Sequence, residues 1–110
     1  MKICIYSRVS TGDQDPTNQS AVLTEWAGQR GFDIVKVYEE QESAWKAGHQ
    51  RELANLLDDA RKRKFDAVLV WALDRLSREG PLAILSLVNR LKICGVKVVV
   101  LSGELDGGPW

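Results

Sequence analysis

The chain has 110 residues, the length of one ordinary domain, and can bury a sizeable core without help from disulfides or metals. Its 45% hydrophobic and 27% charged residues are those of a soluble globular protein, neither disordered nor membrane-spanning. Fifteen basic and fifteen acidic residues cancel, so whole-molecule charge advertises no nucleic-acid partner, and any such affinity must come largely from another part of the protein.

The N-terminus runs directly into an apolar stretch, Ile3 to Val9, that reads as a strand and lacks the cleavage site of a signal peptide, so a cytoplasmic location and no membrane contact are expected. A helix is predicted from about Pro16 to Arg30, with proline near its start and Gly31 after its end. Asp33 to Tyr38 reads as the second strand. A second helix follows, in which Leu53, Leu56, Leu57 and Ala60 keep the i, i+3, i+4, i+7 spacing. Ala67 to Ala72 is the third strand, Pro81 to Cys94 the third helix stopped by Gly95, and Val96 to Leu101 the fourth strand.

The order βαβαβαβ with short connections implies an α/β fold: a mainly parallel sheet of about four strands, helices on both faces and right-handed crossovers. In such sheets ligands bind beyond the carboxyl ends of the strands. Two of those ends are unusually polar, Tyr6-Ser7-Arg8-Val9-Ser10-Thr11 and Leu73-Asp74-Arg75-Leu76-Ser77-Arg78. Alternation along a strand puts Tyr6, Arg8 and Ser10 on one side, a guanidinium near a hydroxyl. On a helical turn Asp74, Arg75 and Arg78 would share a face.

Several arginines around one serine suit phosphoryl transfer, where stabilising charge on phosphate oxygens matters most and a guanidinium offers paired donors. The only histidine, His49, falls in a stretch read as a loop, without a second candidate ligand nearby, and reads as a surface residue, so neither imidazole nor metal activation of the serine is indicated. Activation falls to the arginine field or to a carboxylate such as Asp74; the sequence leaves the proton acceptor open. Cys4 and Cys94, 90 residues apart, form no redox or zinc motif and read as core.

These blocks resemble the serine recombinases of the resolvase/invertase family. Tyr6 to Thr11 followed by Gln14 and Gln19 is similar to the family's opening signature, Leu73 to Arg78 to its Leu-Asp-Arg-Leu-x-Arg segment, and Arg51-Glu52-Leu53 to the start of its second helix. The resemblance spans essentially residues 1–110 and implies a flavodoxin-like, three-layer catalytic domain that cleaves DNA without a cofactor or metal. It implies Ser10 as nucleophile, giving a 5′-phosphoserine link and a free 3′-hydroxyl, followed by strand exchange and religation. Arg8, Arg75 and Arg78 would bind and stabilise the phosphate, Arg51 would support them, and Asp74 would orient or transfer a proton. Tyr6, Gln14 and Gln19 take supporting roles. Family members continue into a dimerisation helix and a DNA-binding domain, both absent from these 110 residues, so homo-oligomers of two to four copies are expected of the full-length protein and monomer or weak dimer of this domain.

Plainer readings exist for each residue alone. Ser10-Thr11 would serve as turn residues, Asp74 as a helix cap, Arg75, Arg78 and Arg51 as solvated charges; what argues against them jointly is convergence on one sheet edge. A receiver-type regulatory module would need acidic residues at the first strand end, where Arg8 and Ser10 stand, and a small phosphatase would need a glycine-rich cradle or Cys-x5-Arg pattern that does not occur. Arg61-Lys62-Arg63-Lys64 reads as a solvated helix end and Trp26 and Trp71 as core, while Trp45 lies in a polar loop. The third helix has apolar residues beyond one stripe, Leu82, Ile84, Leu85, Leu87, Val88 and Leu91, which fits either deep burial or a subunit contact.

Overall fold

The structure is a computed structural model that describes residues 1–9, 19–41, 50–71 and 79–101. Seven elements follow in the expected order: β1 (Lys2–Val9), α1 (Gln19–Gln29), β2 (Asp33–Gln41), α2 (Arg51–Arg61), β3 (Ala67–Val70), α3 (Pro81–Ile93) and β4 (Lys97–Val100). All pairings are parallel and the strands stand in the order β2-β1-β3-β4, so β1 is interior.

Right-handed crossovers dictate the layers. The step from β1 to β2 runs one way along the sheet, and the steps from β2 to β3 and from β3 to β4 run the other way. Hence α1 covers one face, and α2 and α3 cover the other. Alternation along each strand feeds both layers. Cys4, Tyr6, Tyr38, Val68, Val70, Val98 and Val100 pack with Leu53, Leu56, Ala60, Leu87, Val88 and Leu91. Ile3, Ile5, Ala67 and Leu69 pack with Leu23 and Ala27, flanked by half-buried Trp26, Phe32 and Trp71. Burying side chains of this size supplies about 1.5–3 kcal/mol each, which makes the two layers the main source of stability.

All three helices end in the same hydrogen-bond pattern. After α1, Gly31 N–H donates to Gly28 O and Phe32 N–H to Ala27 O; after α3, Gly95 donates to Lys92 O and Val96 to Leu91 O. These are Schellman closures, with glycine at φ 74° and 81° in the left-handed slot. α2 closes identically through Arg63 N–H to Ala60 O and Lys64 N–H to Asp59 O, with Arg63 in that slot at φ 56°.

The elements depart from the sequence expectations at their ends. β2 continues three residues past Tyr38 because β1 extends to Val9 and pairs with it through Arg8↔Glu40 and Val9↔Gln41. β3 stops at Val70 because its ladders with β1 and β4 both end there, leaving Trp71 in a bend. Residues 16–18, the expected first turn of the first helix, lie outside the described residues, as do Trp45 and His49. On α3, Leu87, Val88 and Leu91 are buried, whereas Leu82 and Leu85 are 82% and 62% exposed, so burial explains only part of its apolar breadth.

Candidate active site

Parallel pairing brings the carboxyl ends of β1, β2, β3 and β4 to one edge. In sequence Ser10 is the next residue after β1, and β1 ends between β2 and β3. Asp74, Arg75 and Arg78 follow β3 and precede α3. Ser10, Gln14, Asp74, Arg75 and Arg78 themselves lie outside the described residues. Arg8 is placed by its backbone, in register with Glu40 across the β1–β2 pair, and Gln19 by its backbone as the first residue of α1. Arg51, exposed, opens α2.

Beneath this edge lies a buried polar cluster. The Tyr6 hydroxyl donates to Glu40 Oε1 at 3.0 Å and accepts from Gln50 Nε2 at 3.1 Å. Burial, reinforced by the adjacent Glu40 charge, pushes the Tyr6 phenol well above its ordinary range against the opposing Gln50 contact, so Tyr6 remains a neutral donor. The Glu40 carboxylate also accepts the Glu52 amide at 3.1 and 3.3 Å and the Leu53 amide at 3.3 Å. Gln50, the N-cap residue of α2, gives no side-chain cap of its own. A carboxylate from β2 therefore caps α2, a placement favoured by the helix dipole. Glu40 was not legible as a site residue. Its one sequence signal was an acid at the end of an otherwise core-feeding strand.

On the opposite face Ser7 and Ser20, both buried, hydrogen-bond side chain to side chain and fasten the start of α1 to β1. Consecutive residues of β1 thus anchor the helices on its two sides. Cys4, buried below, has its thiol pushed far above the ordinary range chiefly by desolvation, which makes it inert core rather than a nucleophile. Among the described residues, no group of three His, Cys, Asp or Glu side chains is assembled to hold a metal, and no helix is long and apolar enough to cross a membrane.

Comparison with known proteins converges on one family. The resolvase N-terminal domain matches residues 3–108. No curated protein matches this sequence. Among solved structures, the C-terminal catalytic domain of ISC1926 TnpA, an IS607-like serine recombinase, superposes with a TM-score of 0.78 at 29% identity over 96% of this chain and 70% of its own. The N-terminal catalytic domain of TP901-1 integrase gives 0.78 at 27% identity, over 96% of this chain and 81% of its own. The first open reading frame of transposon ISC1904 from Sulfolobus solfataricus P2 shares the fold, with a TM-score of 0.67 at 19% identity over 94% and 69%. The chain therefore belongs to the resolvase N-terminal domain family, the catalytic domain of the serine DNA recombinases.

Proposed function

We propose that Ser10 is the nucleophile of a site-specific recombination reaction. Its hydroxyl oxygen attacks the phosphorus of a DNA phosphodiester, the bond to the 3′-oxygen breaks, and the products are a 5′-phosphoserine link and a free 3′-hydroxyl. The serine proton passes to a base, for which Asp74 is the candidate, and the departing 3′-oxygen takes up a proton. After strand exchange a 3′-hydroxyl attacks the phosphoserine, rejoins the DNA and releases Ser10. Arg8, Arg75 and Arg78 hold the phosphate oxygens as charge accumulates, and Arg51 supports them. Tyr6, Gln14 and Gln19 are supporting residues.

The observation that carries this reading is topological. β1, which ends one residue before Ser10 in the sequence, and its neighbour β3, which ends four residues before Asp74 and eight before Arg78, both finish at the edge where α2 begins with Arg51. The full-length protein would work in the cytoplasm as an assembly of two to four copies, and the exposed Leu82, Leu85 and Ile93 of α3 are apolar area that such an assembly can cover. The test is to incubate the full-length natural protein with fragmented genomic DNA of its source and resolve the mixture on denaturing gels. A covalent adduct is expected, with the phosphate mapped to Ser10 by mass spectrometry and lost in Ser10→Ala. An adduct that persists in Ser10→Ala, or no adduct from wild type, overturns the assignment.

A further inference from the structure

Glu40 stands one residue before the end of β2 and is 2% exposed. A carboxylate so buried persists only with its lone pairs engaged. Here they are engaged by groups from two different elements: the Tyr6 hydroxyl of β1 and the Glu52 and Leu53 amides of α2. The two amides belong to the second and third residues of the helix, the orphan donors that a local N-cap side chain usually satisfies. Since Gln50 supplies no such cap, the direction in which α2 leaves the sheet edge depends on Glu40. Arg51 is the first residue of that turn. At the other end of the contact, Tyr6 is two residues before Arg8, and Arg8 is the register partner of Glu40 itself.

We propose that Glu40 is a positioning residue of the recombination reaction: its carboxylate clamps β1 to the first turn of α2 and so fixes Arg51 relative to Arg8 and Ser10. The proposal rests on the reading of those three residues given above. A carboxylate suits the task better than an amide. Its Oε1 accepts from all three donors, its Oε2 accepts from the Glu52 amide as well, and its charge complements the positive end of the helix, whereas glutamine is neutral and turns an NH2 toward the Glu52 amide, itself a donor. Misplacing one phosphate-binding arginine by a fraction of its reach is enough to slow the chemical step without abolishing DNA binding.

The experiment uses the full-length natural protein and a DNA fragment captured as an adduct by wild type, in single turnover. Glu40→Gln is expected to slow adduct formation about 10- to 100-fold with the half-saturating DNA concentration unchanged. Glu40→Asp should recover part of the rate, and Tyr6→Phe, which removes one donor, should show a smaller loss. Because Glu40 acts through Arg51, Glu40→Gln combined with Arg51→Ala should be no slower than Arg51→Ala alone. Amide hydrogen exchange reads the clamp directly: Glu52 and Leu53 should lose protection in Glu40→Gln while α1 and α3 keep theirs. A wild-type rate in Glu40→Gln, or losses that multiply in the double variant, would overturn the positioning role. Unchanged exchange at Glu52 and Leu53 would overturn the cap. If wild type forms no Ser10 adduct, the recombinase assignment of the site fails and takes the role in catalysis with it, while the exchange data still decide the cap. Should Glu40→Gln fail to fold, Tyr6→Phe carries the kinetic comparison.

Discussion

The side-chain oxygens of Ser7 and Ser20 stand 2.5 Å apart in a buried contact that joins the interior strand to the first turn of α1. One residue earlier, Tyr6 reaches Glu40 on the opposite face. Removing either serine hydroxyl leaves the other buried without its partner, so Ser7→Ala and Ser20→Ala should each cost about 1–3 kcal/mol in urea unfolding. The double variant should lose clearly less than the sum, because no orphan remains. Additive losses would mean that the two hydroxyls do not depend on each other.

Arg63 occupies the slot that glycine fills after α1 and α3, at φ 56°. The left-handed conformation strains any residue with a Cβ, and among the described residues the ion pairs at this helix end run from Lys36, Arg61, Lys62 and Lys64 to Asp58 and Asp59 rather than from Arg63. Arg63→Gly should therefore stabilise the protein by about 0.5–1 kcal/mol, after allowing for the extra freedom glycine has in the unfolded chain. Chemical denaturation at fixed ionic strength checks it, and a destabilised variant would count against the strain argument.

What the sequence made legible was whatever depends on neighbours within a few residues. The β-branched runs marked β1, β3 and β4, the leucine spacing marked α2, and Gly31 and Gly95 marked two helix ends, because each signal is local. The end of α2 was marked only by the basic run Arg61 to Lys64 and not by glycine, so its left-handed closure at Arg63 was not legible. β2 was read too short because Glu39, Glu40 and Gln41 are polar, and only their register partners Ser7, Arg8 and Val9 of β1, 32 residues away, keep them in the ladder. Glu40 was missed for the same reason: its partners are 34, 12 and 13 residues distant, and no local pattern announces a carboxylate that caps another element's helix. The arginine and serine motifs were readable through resemblance and through the rule about strand ends; their geometry was not.

Acid should expose the Asp59 cluster. The Tyr38 hydroxyl donates to Asp59 at 2.5 Å, and Lys64 and Lys36 lie 3.4 and 4.0 Å from the carboxylate. The Tyr38 hydrogen bond first, then the lysines, hold the Asp59 carboxyl below its ordinary value of 3.8, against the opposing effect of burial. A pKa depressed by folding contributes stability that is fully present above the unfolded value and is lost as pH falls through the folded one. The contribution should therefore be intact above about pH 5 and fade below about pH 4. Asp59→Asn should melt lower than wild type at pH 7, with the gap narrowing below pH 4. A gap independent of pH would show that packing rather than ionisation is responsible.

If Ser10 attacks within a field of arginines as proposed, the chemical step needs no divalent ion. Adduct formation by the full-length protein should persist in excess chelator, with magnesium acting only as a DNA counterion. Complete loss in chelator, restored by magnesium alone, would point to a metal-dependent nuclease instead.

The arginines themselves make the most direct prediction, because charge and shape can be separated. Lysine preserves the charge of Arg8, Arg75 and Arg78 but presents a single rotating ammonium where a guanidinium offers planar, paired donors to two phosphate oxygens at once. If these residues hold the phosphate as charge builds on it, each Arg→Lys variant should lose transition-state stabilisation of about 2–4 kcal/mol, a rate loss of roughly 30- to 1000-fold. Binding to the captured DNA fragment should hardly change, since DNA affinity typically rests on roughly six to ten phosphate contacts and each variant alters one residue while keeping its charge. Single-turnover adduct assays and filter binding on the same preparations separate the two effects. Near-normal rates in all three lysine variants would reduce these arginines to ordinary surface charges, whereas parallel losses of rate and binding would make them DNA anchors rather than stabilisers of the reacting phosphate.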